Sequence, residues 1–278
     1  MINFDCFYIY SYKMNLEQIT AEVCRIAKEA GGFLAVERKT FRKSEVKEKN
    51  THDYVTYVDK ETEKLVVGKL SALMPQAGFI TEENTVEFTE SDYYWIVDPL
   101  DGTTNYIHDN APYCVSIALS YKSELQVGVV YEVCRDECFY AWKGGKAYMN
   151  GDIISVSDID NINQAFIGLD LPYNDREYKP VINHLMNELY GKASSIRING
   201  SASMSMCYVA IGRFDVWAEA FIKPWDYSAG ALIVQEAGGL VTDFIGGACF
   251  QEGHKIIASN GLLHDEMIQL LAPYNNQL

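Results

Sequence analysis

Asp98 and Asp101 stand three residues apart in Asp98-Pro99-Leu100-Asp101-Gly102-Thr103-Thr104-Asn105, and the apolar run Tyr93-Tyr94-Trp95-Ile96-Val97 leads into them. That run predicts a buried strand opening into a turn at Asp98. Pro99 restricts Asp98 to extended backbone and fixes its own φ, so the two carboxylates sit on a stiff turn and can converge. Two ionised carboxylates about 4 Å apart repel by roughly 4 kcal/mol at an effective dielectric near 20. A pair held together therefore implies a shared proton or a bound cation, and at neutral pH a hard divalent cation fits. Gly102 lets the backbone approach a ligand, and Thr103 and Thr104 add hydroxyls beside amides that are free if a helix starts here. Magnesium beside an anion cradle suits phosphoryl chemistry, because the metal neutralises phosphate oxygens and activates water.

Other acids stand at strand ends. Phe79-Ile80-Thr81 reads as a short strand that delivers Glu82 and Glu83, although adjacent glutamates are as a rule solvated surface. Asp226, in Lys223-Pro224-Trp225-Asp226-Tyr227-Ser228-Ala229-Gly230, reads first as the N-cap of a helix running to Glu236. Val216–Phe221 is a strand with one acid, Glu219. Cys134 and Cys138 are four apart with no neighbouring His or second Cys pair, which does not make a zinc site.

The elements that must position these residues follow from periodicity. Leu16, Ile19, Val23, Ile26, Ala27, Ala30 and Leu34 recur at helical spacing and predict an amphipathic helix over residues 15–36. Residues 38–50 are charged, basic and without period, and read as a mobile loop or exposed hairpin, either a solvated linker or a lid over an anionic substrate. Residues 53–59 alternate like a strand, with Asp59 as N-cap of a helix to Met74 that Pro75 and Gly78 end. Strands at 115–120, 125–131 and 137–141, a turn at Gly144-Gly145 and a hairpin at Asn150-Gly151 give a helix pair over a largely antiparallel sheet up to residue 155. Residues 156–278 change to βα alternation: strands at 165–169 and 196–198 flank a helix at 179–190. A helix from Ser201 through Gly212, the strand and helix around Asp226, strands at 240–243 and 256–259 and a last helix at 262–271 complete the chain. Residues 15–155 and 156–278 are thus expected to form two halves, after an extension over residues 1–14 in which Met14 is an alternative start.

Composition narrows the function. Two hundred and seventy-eight residues, 48% of them hydrophobic, supply one large core or two packed ones. A net charge of −15 argues against nucleic-acid polymers and anionic membranes as partners, so a small anionic substrate needs metal ions as a bridge. No apolar run approaches a membrane span, and the opening residues carry Asp5 in place of a basic signal region. Seven scattered cysteines read as reduced thiols and point to the cytoplasm.

The pattern as a whole resembles the inositol monophosphatase family of magnesium-dependent phosphatases, which carries a strand-borne D-P-x-D-G-[ST]-[ST] and a later W-D-x-x-[AGS]-G at a helix start. Here these are Asp98 to Thr104 and Trp225 to Gly230, with a glutamate about sixteen residues before the first motif and Glu236-Ala237-Gly238-Gly239 after the second, so the resemblance covers residues 15–272. Ser228 departs from the family's usual Ala or Cys. The resemblance implies an α+β or α/β layered αβαβα sandwich of the inositol monophosphatase and fructose-1,6-bisphosphatase type with its active site at the junction of the two halves, and a homodimer. It implies that Glu82, Asp98, Asp101, Asp226 and the Leu100 carbonyl bind two or three magnesium ions, with Glu82 chosen over Glu83. It gives Thr103 and Glu82 the attacking water, Asp53 a metal or its water, and the amides of Gly102 and Thr103 the phosphate. Ser201, Ala202 and Glu219 would face the alcohol.

The expected reaction is in-line attack of a metal-activated water on a phosphomonoester, without a phosphoenzyme. Haloacid-dehalogenase chemistry needs D-x-D, and here the aspartates are three apart with proline between. A metal- or phosphate-binding regulatory module without catalysis is the rival from another class. The family's substrates include inositol monophosphates, fructose 1,6-bisphosphate, histidinol phosphate, 3′-phosphoadenosine 5′-phosphate and NADP. A carboxylate at 219 favours a polyol over a second phosphate.

Overall fold

The computed structural model describes residues 14–42, 46–50, 53–171, 175–248 and 255–274, without the side chains of residues 47–50, 53–54 and 175–177. The expected extension therefore lies, but for Met14, outside the described residues.

Helix α1 spans Leu16–Arg38 and begins where Asn15 accepts the Gln18 amide at 3.1 Å. Val23, Ile26 and Leu34 are fully buried on one face, each worth about 1.5–3 kcal/mol. Gly31 lets the helix lie close, since a Cβ there would stand 2.3 Å from the Tyr131 ring. The basic stretch forms in part a hairpin, β1 (Lys47–Asn50) pairing antiparallel with β2 (Asp53–Val55). Helix α2 covers Tyr57–Leu73. The expected strand through Asp59 is thus cut at Val55, and Asp59 is not the N-cap. Thr56 caps the helix, and Asp59, at the third helical position, accepts the Thr56 amide at 2.8 Å in a capping box.

The first sheet runs in chain order: β3 (Gly78–Thr81), β4 (Tyr93–Asp101), β5 (Cys114–Tyr121), β6 (Glu124–Glu132), β7 (Glu137–Trp142), β8 (Ala147–Met149) and β9 (Asp152–Ile154). Only β3 and β4 pair in parallel; the other neighbours are antiparallel. The short helix α3 (Thr103–His108) follows β4. Asn150 and Gly151 both take positive φ, 50° and 98°, as the tight β8–β9 hairpin requires.

The second sheet has the order β11-β10-β12-β14-β13, from β10 (Phe166–Leu169), β11 (Ser195–Arg197), β12 (Val216–Glu219), β13 (Leu240–Thr242) and β14 (Ile256–Ser259). Strands β11, β10 and β12 are parallel, as βα alternation demands, while β14 runs antiparallel to both β12 and β13. The helices are α4 (Asp175–Leu189), α5 (Ala202–Ala210), α6 (Pro224–Glu236) and α7 (His264–Leu271).

Side-chain alternation sorts these elements into five layers. Trp95, Val97, Ile117 and Leu119 pack with α1 and α2, while Ile96, Ala118, Val130 and Phe139 face the opposite way onto α5 and α6. Across those two helices Trp217 and Ala258 of the second sheet join the same cluster, and Val216, Ala218 and Ile257 point outward to α4 and α7. The result is an αβαβα sandwich whose middle layer, α5 and α6, touches both sheets. Gly128 lets α6 lie close against the first sheet, for a Cβ there would stand 2.6 Å from the Ala229 carbonyl oxygen.

Candidate active site

Strand β4 does not end at Asp98 as the sequence suggests; it runs on to Asp101 with a bulge inside the motif. Asp98 pairs with Ser116 and Asp101 with Cys114, so three steps on β4 match two on β5. In a regular strand residues three apart point to opposite faces. The extra residue corrects the phase, and both carboxylates face the middle helices, as Cys114 and Ser116 do. Pro99 has no N–H to lose at the bulge. The Leu100 amide donates to Asp98 Oδ1 at 2.9 Å and fixes that carboxylate.

Each middle helix meets this point with its N-terminus. Asp101 Oδ2 accepts Ser201 Oγ at 2.7 Å and the Ser203 amide at 2.8 Å, so a strand carboxylate caps α5 from another layer. Ser203 Oγ donates to the Asp226 carbonyl at 2.7 Å and ties α5 to α6. Lys223, not Asp226, is the N-cap of α6; Asp226 sits at the third position and accepts the Lys223 amide at 2.8 Å through Oδ2. Its carboxyl lies within hydrogen-bonding reach of Asp98. Ser228 is buried and donates to the Pro224 carbonyl at 2.6 Å within the helix, so the hydroxyl that departs from the family pattern is satisfied locally.

Glu82 follows β3, and its amide donates to the Val97 carbonyl at 3.2 Å, which extends the β3–β4 pairing to the mouth of the site. Thr103 opens α3 beside Gly102, whose φ of 89° and lack of room for a Cβ, 3.0 Å from the Pro112 carbonyl oxygen, call for glycine. Thr103 Oγ1 lies 3.0 Å from the Leu100 carbonyl oxygen and 3.2 Å from Asp59 Oδ1. A cleft of about 520 Å³ joins Glu82, Asp98, Asp101, Asp226, Ser201 and Glu219, with Leu100, Gly102, Thr103 and Ala202 also on its walls. Asp53 lies in β2, with its side chain outside the described residues.

Three acids absent from the sequence reading of the site belong to its frame. Buried Asp59 faces Thr103. Buried Glu63, four residues on in α2, accepts from Thr81, Glu83 and Thr85 around Glu82. Buried Asp170, after β10, accepts the Gly200 amide at 2.7 Å, Trp217 Nε1 at 2.8 Å and Ser205 Oγ at 3.0 Å, and so shapes the loop before Ser201. Asp59 and Glu63 are spaced i, i+4 on one helix, and Asp170 follows an apolar run as Asp98 does; those were the signals available.

The electrostatics call for a counter-charge. Burial pushes Asp98 well above the usual carboxylate range, and Glu82, Asp101 and Asp226 push further. Burial raises Asp101 to about 6 against the lowering bonds from Ser201 and Ser203. Asp226 is raised to about 7, by burial and then by Asp101. Glu219 also lies well above its usual value through burial and then Asp170, Asp226 and Asp101. Such a group is stable ionised only with cations among its members. The donor set, carboxylates with the Leu100 carbonyl, is all hard oxygen and fits magnesium or calcium. Among the described residues no three His, Cys, Asp or Glu side chains stand so that they could hold a metal ion by themselves. Magnesium has no need of one, because it keeps several waters and is held by one or two carboxylates with substrate phosphate.

A sequence profile described as the inositol monophosphatase family matches residues 15–276. The chain belongs to that family. Among family relatives, the Nus factor SuhB of Escherichia coli strain K12 is 36% identical over 237 residues, covering 85% of this chain and 89% of that protein. The inositol monophosphatase of Dictyostelium discoideum is 33% identical over 263 residues, covering 93% and 96%. The crystal structure of the extragenic suppressor protein suhB from Bartonella henselae superposes with a TM-score of 0.86 at 32% identity, over 91% of this chain and 98% of that one. An inositol monophosphatase fold and a phosphatase site within it agree with the layers and the acids described above.

Proposed function

We propose that the protein is a magnesium-dependent phosphomonoester hydrolase whose substrate is a polyol monophosphate of the inositol monophosphate type. The observation that carries this is the meeting of Asp98, Asp101 and Asp226 from strand and helix N-terminus at one cleft, with ionisations that only cations make compatible. Glu82, Asp98, Asp101, Asp226 and the Leu100 carbonyl would hold two or three magnesium ions. Bound magnesium supplies charge opposite the phosphate oxygens and lowers the pKa of water. The chain's own part in the attack falls to Thr103 and Asp59. Thr103 Oγ1 accepts a proton of the attacking water as it donates its own to Asp59 Oδ1, 3.2 Å away. Burial raises the Asp59 carboxyl above its usual range, which makes it a better acceptor for that proton. Asp59 thus takes the place beside Thr103 on the attacking water that the resemblance gave to Glu82, while Asp53 was given a metal or its water. Amides of Gly102 and Thr103 hold the phosphate, and attack is in line.

Glu219, Ser201 and Ala202 face the leaving alcohol. Glu219→Gln then lowers kcat/KM for inositol 1-monophosphate by about 1.5–3 kcal/mol, the worth of a charge-assisted hydrogen bond. The same variant leaves p-nitrophenyl phosphate nearly unchanged and holds or improves fructose 1,6-bisphosphate hydrolysis. Equal losses on all three would assign Glu219 to structure or metal and remove the argument for a polyol. The reading also takes in a cytoplasmic homodimer. The free thiols Cys24, Cys114, Cys134, Cys138 and Cys207 support a reducing compartment, and sedimentation velocity reads the assembly mass. Among the described residues no helix is long and apolar enough to cross a membrane.

A binding module without catalysis has one point in its favour, the name Nus factor carried by a relative. Against it, each ligand position that the two motifs imply is filled, by Asp98, Asp101 and Asp226 and by the carbonyl of Leu100.

A further inference from the structure

Glu63 is fully buried in α2, faces no cation within hydrogen-bonding distance among the described residues, and yet accepts four hydrogen bonds. Its Oε1 takes Thr81 Oγ1 at 3.0 Å, the Thr85 amide at 2.7 Å and Thr85 Oγ1 at 2.7 Å, while Oε2 takes the Glu83 amide at 2.8 Å. The donors come from both sides of Glu82. Residues 81–85 therefore wrap around one carboxylate, with Asn84 turned into positive φ (51°) and its side-chain amide donating back to the Glu82 carbonyl at 3.1 Å. Three of these donors converge on Oε1 and one on Oε2, a density of acceptance that a carboxyl group offers and an amide of the same size does not. A buried charge is costly unless such bonds satisfy it, so a side chain meant only to fill the core here would be apolar.

We infer that Glu63 is a positioning residue: its carboxylate is the template on which the loop carrying Glu82 takes the shape that presents Glu82 to the metal. This rests on the proposed metal site, of which Glu82 is a member. Glutamine at 63 keeps the volume but not the acceptors. With its oxygen toward Thr81 and Thr85, its NH2 meets the Glu83 N–H donor to donor; in the flipped orientation it meets the Thr85 amide in the same way. Either orientation displaces the backbone one to three residues from Glu82. The bond that the loop keeps with β4, Glu82 amide to Val97 carbonyl, lies on the far side of that displacement and does not restore the side chain's aim.

The test uses the full chain and Mn2+ as the probe, with free Mn2+ read by electron paramagnetic resonance during titration. Glu63→Gln is expected to raise the Mn2+ dissociation constant by about tenfold or more, the usual effect of removing a partner that orients a metal ligand. Thr85→Val, which removes only the hydroxyl bond, is expected to raise it by about threefold. Asp215→Asn serves as the control, because Asp215 is also buried and accepts the Phe166 amide at 2.6 Å, but in the second sheet; it should lower the melting temperature and leave Mn2+ affinity alone. Glu82→Gln separates the two levels of the argument. If Glu82→Gln weakens Mn2+ binding while Glu63→Gln binds as wild type, the metal site stands and Glu63 is structural only. If Glu82→Gln itself binds as wild type, the site reading and this inference both fall. Should Glu63→Gln not fold, wild-type affinity in Thr85→Val overturns the inference alone.

Discussion

At the scale of single residues, the site is a set of acids held at the wrong ionisation for a metal-free protein. Asp101 at about 6 and Asp226 at about 7 compare with roughly 3.9 for an aspartate in an unfolded chain. Between about pH 4 and pH 7 the folded chain therefore binds more protons than the unfolded one, and stability falls as pH rises through that window. In EDTA the melting temperature should be lower at pH 8 than at pH 5, and magnesium should close the gap. A melting temperature in EDTA that is flat or rising over that range would contradict the clustering. Asp98→Asn and Asp226→Asn each remove one repelling charge, so in EDTA at pH 8 both variants should melt above wild type, with little difference left at pH 5. Asp98 and Asp226 were legible as candidate ligands because their motifs are long, whereas Asp59 was not legible as part of the site. It follows an alternating run that reads as strand, and only the cap at Thr56 reveals that the helix has already begun.

At the scale of elements, the geometry depends on where secondary structure is interrupted. The bulge in β4 turns two residues of opposite parity to one face, and sequence alone does not give that, because a turn after Asp98 and a bulge through Asp101 share the same proline. Helix α2 reaches the cleft through the hydrogen bond from Thr103 to Asp59. Thr103→Val and Asp59→Asn should each lower kcat by about 10²- to 10³-fold, with KM for inositol 1-monophosphate changed by less than about threefold, since the lost interaction belongs to the attack and not to ground-state binding. A rise in KM at unchanged kcat in either variant would move these residues out of the attack and into substrate binding.

At the scale of the whole molecule, the alternation of apolar residues made most of the helices and strands readable to within a few residues. Leu16–Arg38, Cys114–Tyr121 and Ile256–Ser259 lie close to where their periodicities put them. Layering was less accessible from periodicity, because it depends on which face of each strand meets which helix, and the sequence pattern of α6 is apolar nearly all round. The structure explains that pattern: α6 lies between two sheets, so it has no solvent face to mark. A middle layer buried on both sides also fixes Asp101, Ser201 and Asp226 against one another, which suits small, strictly octahedral magnesium better than calcium. Calcium should compete for the site and support less than about a tenth of the turnover seen with magnesium. Full turnover with calcium would mean a looser site than this one.

The central claim is that Asp98, Asp101 and Asp226 hold magnesium for the hydrolysis of a phosphomonoester. The measurement that meets it most directly is inorganic phosphate release from inositol 1-monophosphate, titrated from EDTA to saturating magnesium, for wild type, Asp98→Asn and Asp226→Asn. Wild type should go from no release to saturable release, and each variant should remain at least about 10³-fold slower in kcat/KM at every magnesium concentration, the several kcal/mol that a metal supplies to such a step. Release by wild type in EDTA, or near wild-type turnover by either variant at saturating magnesium, would contradict the account.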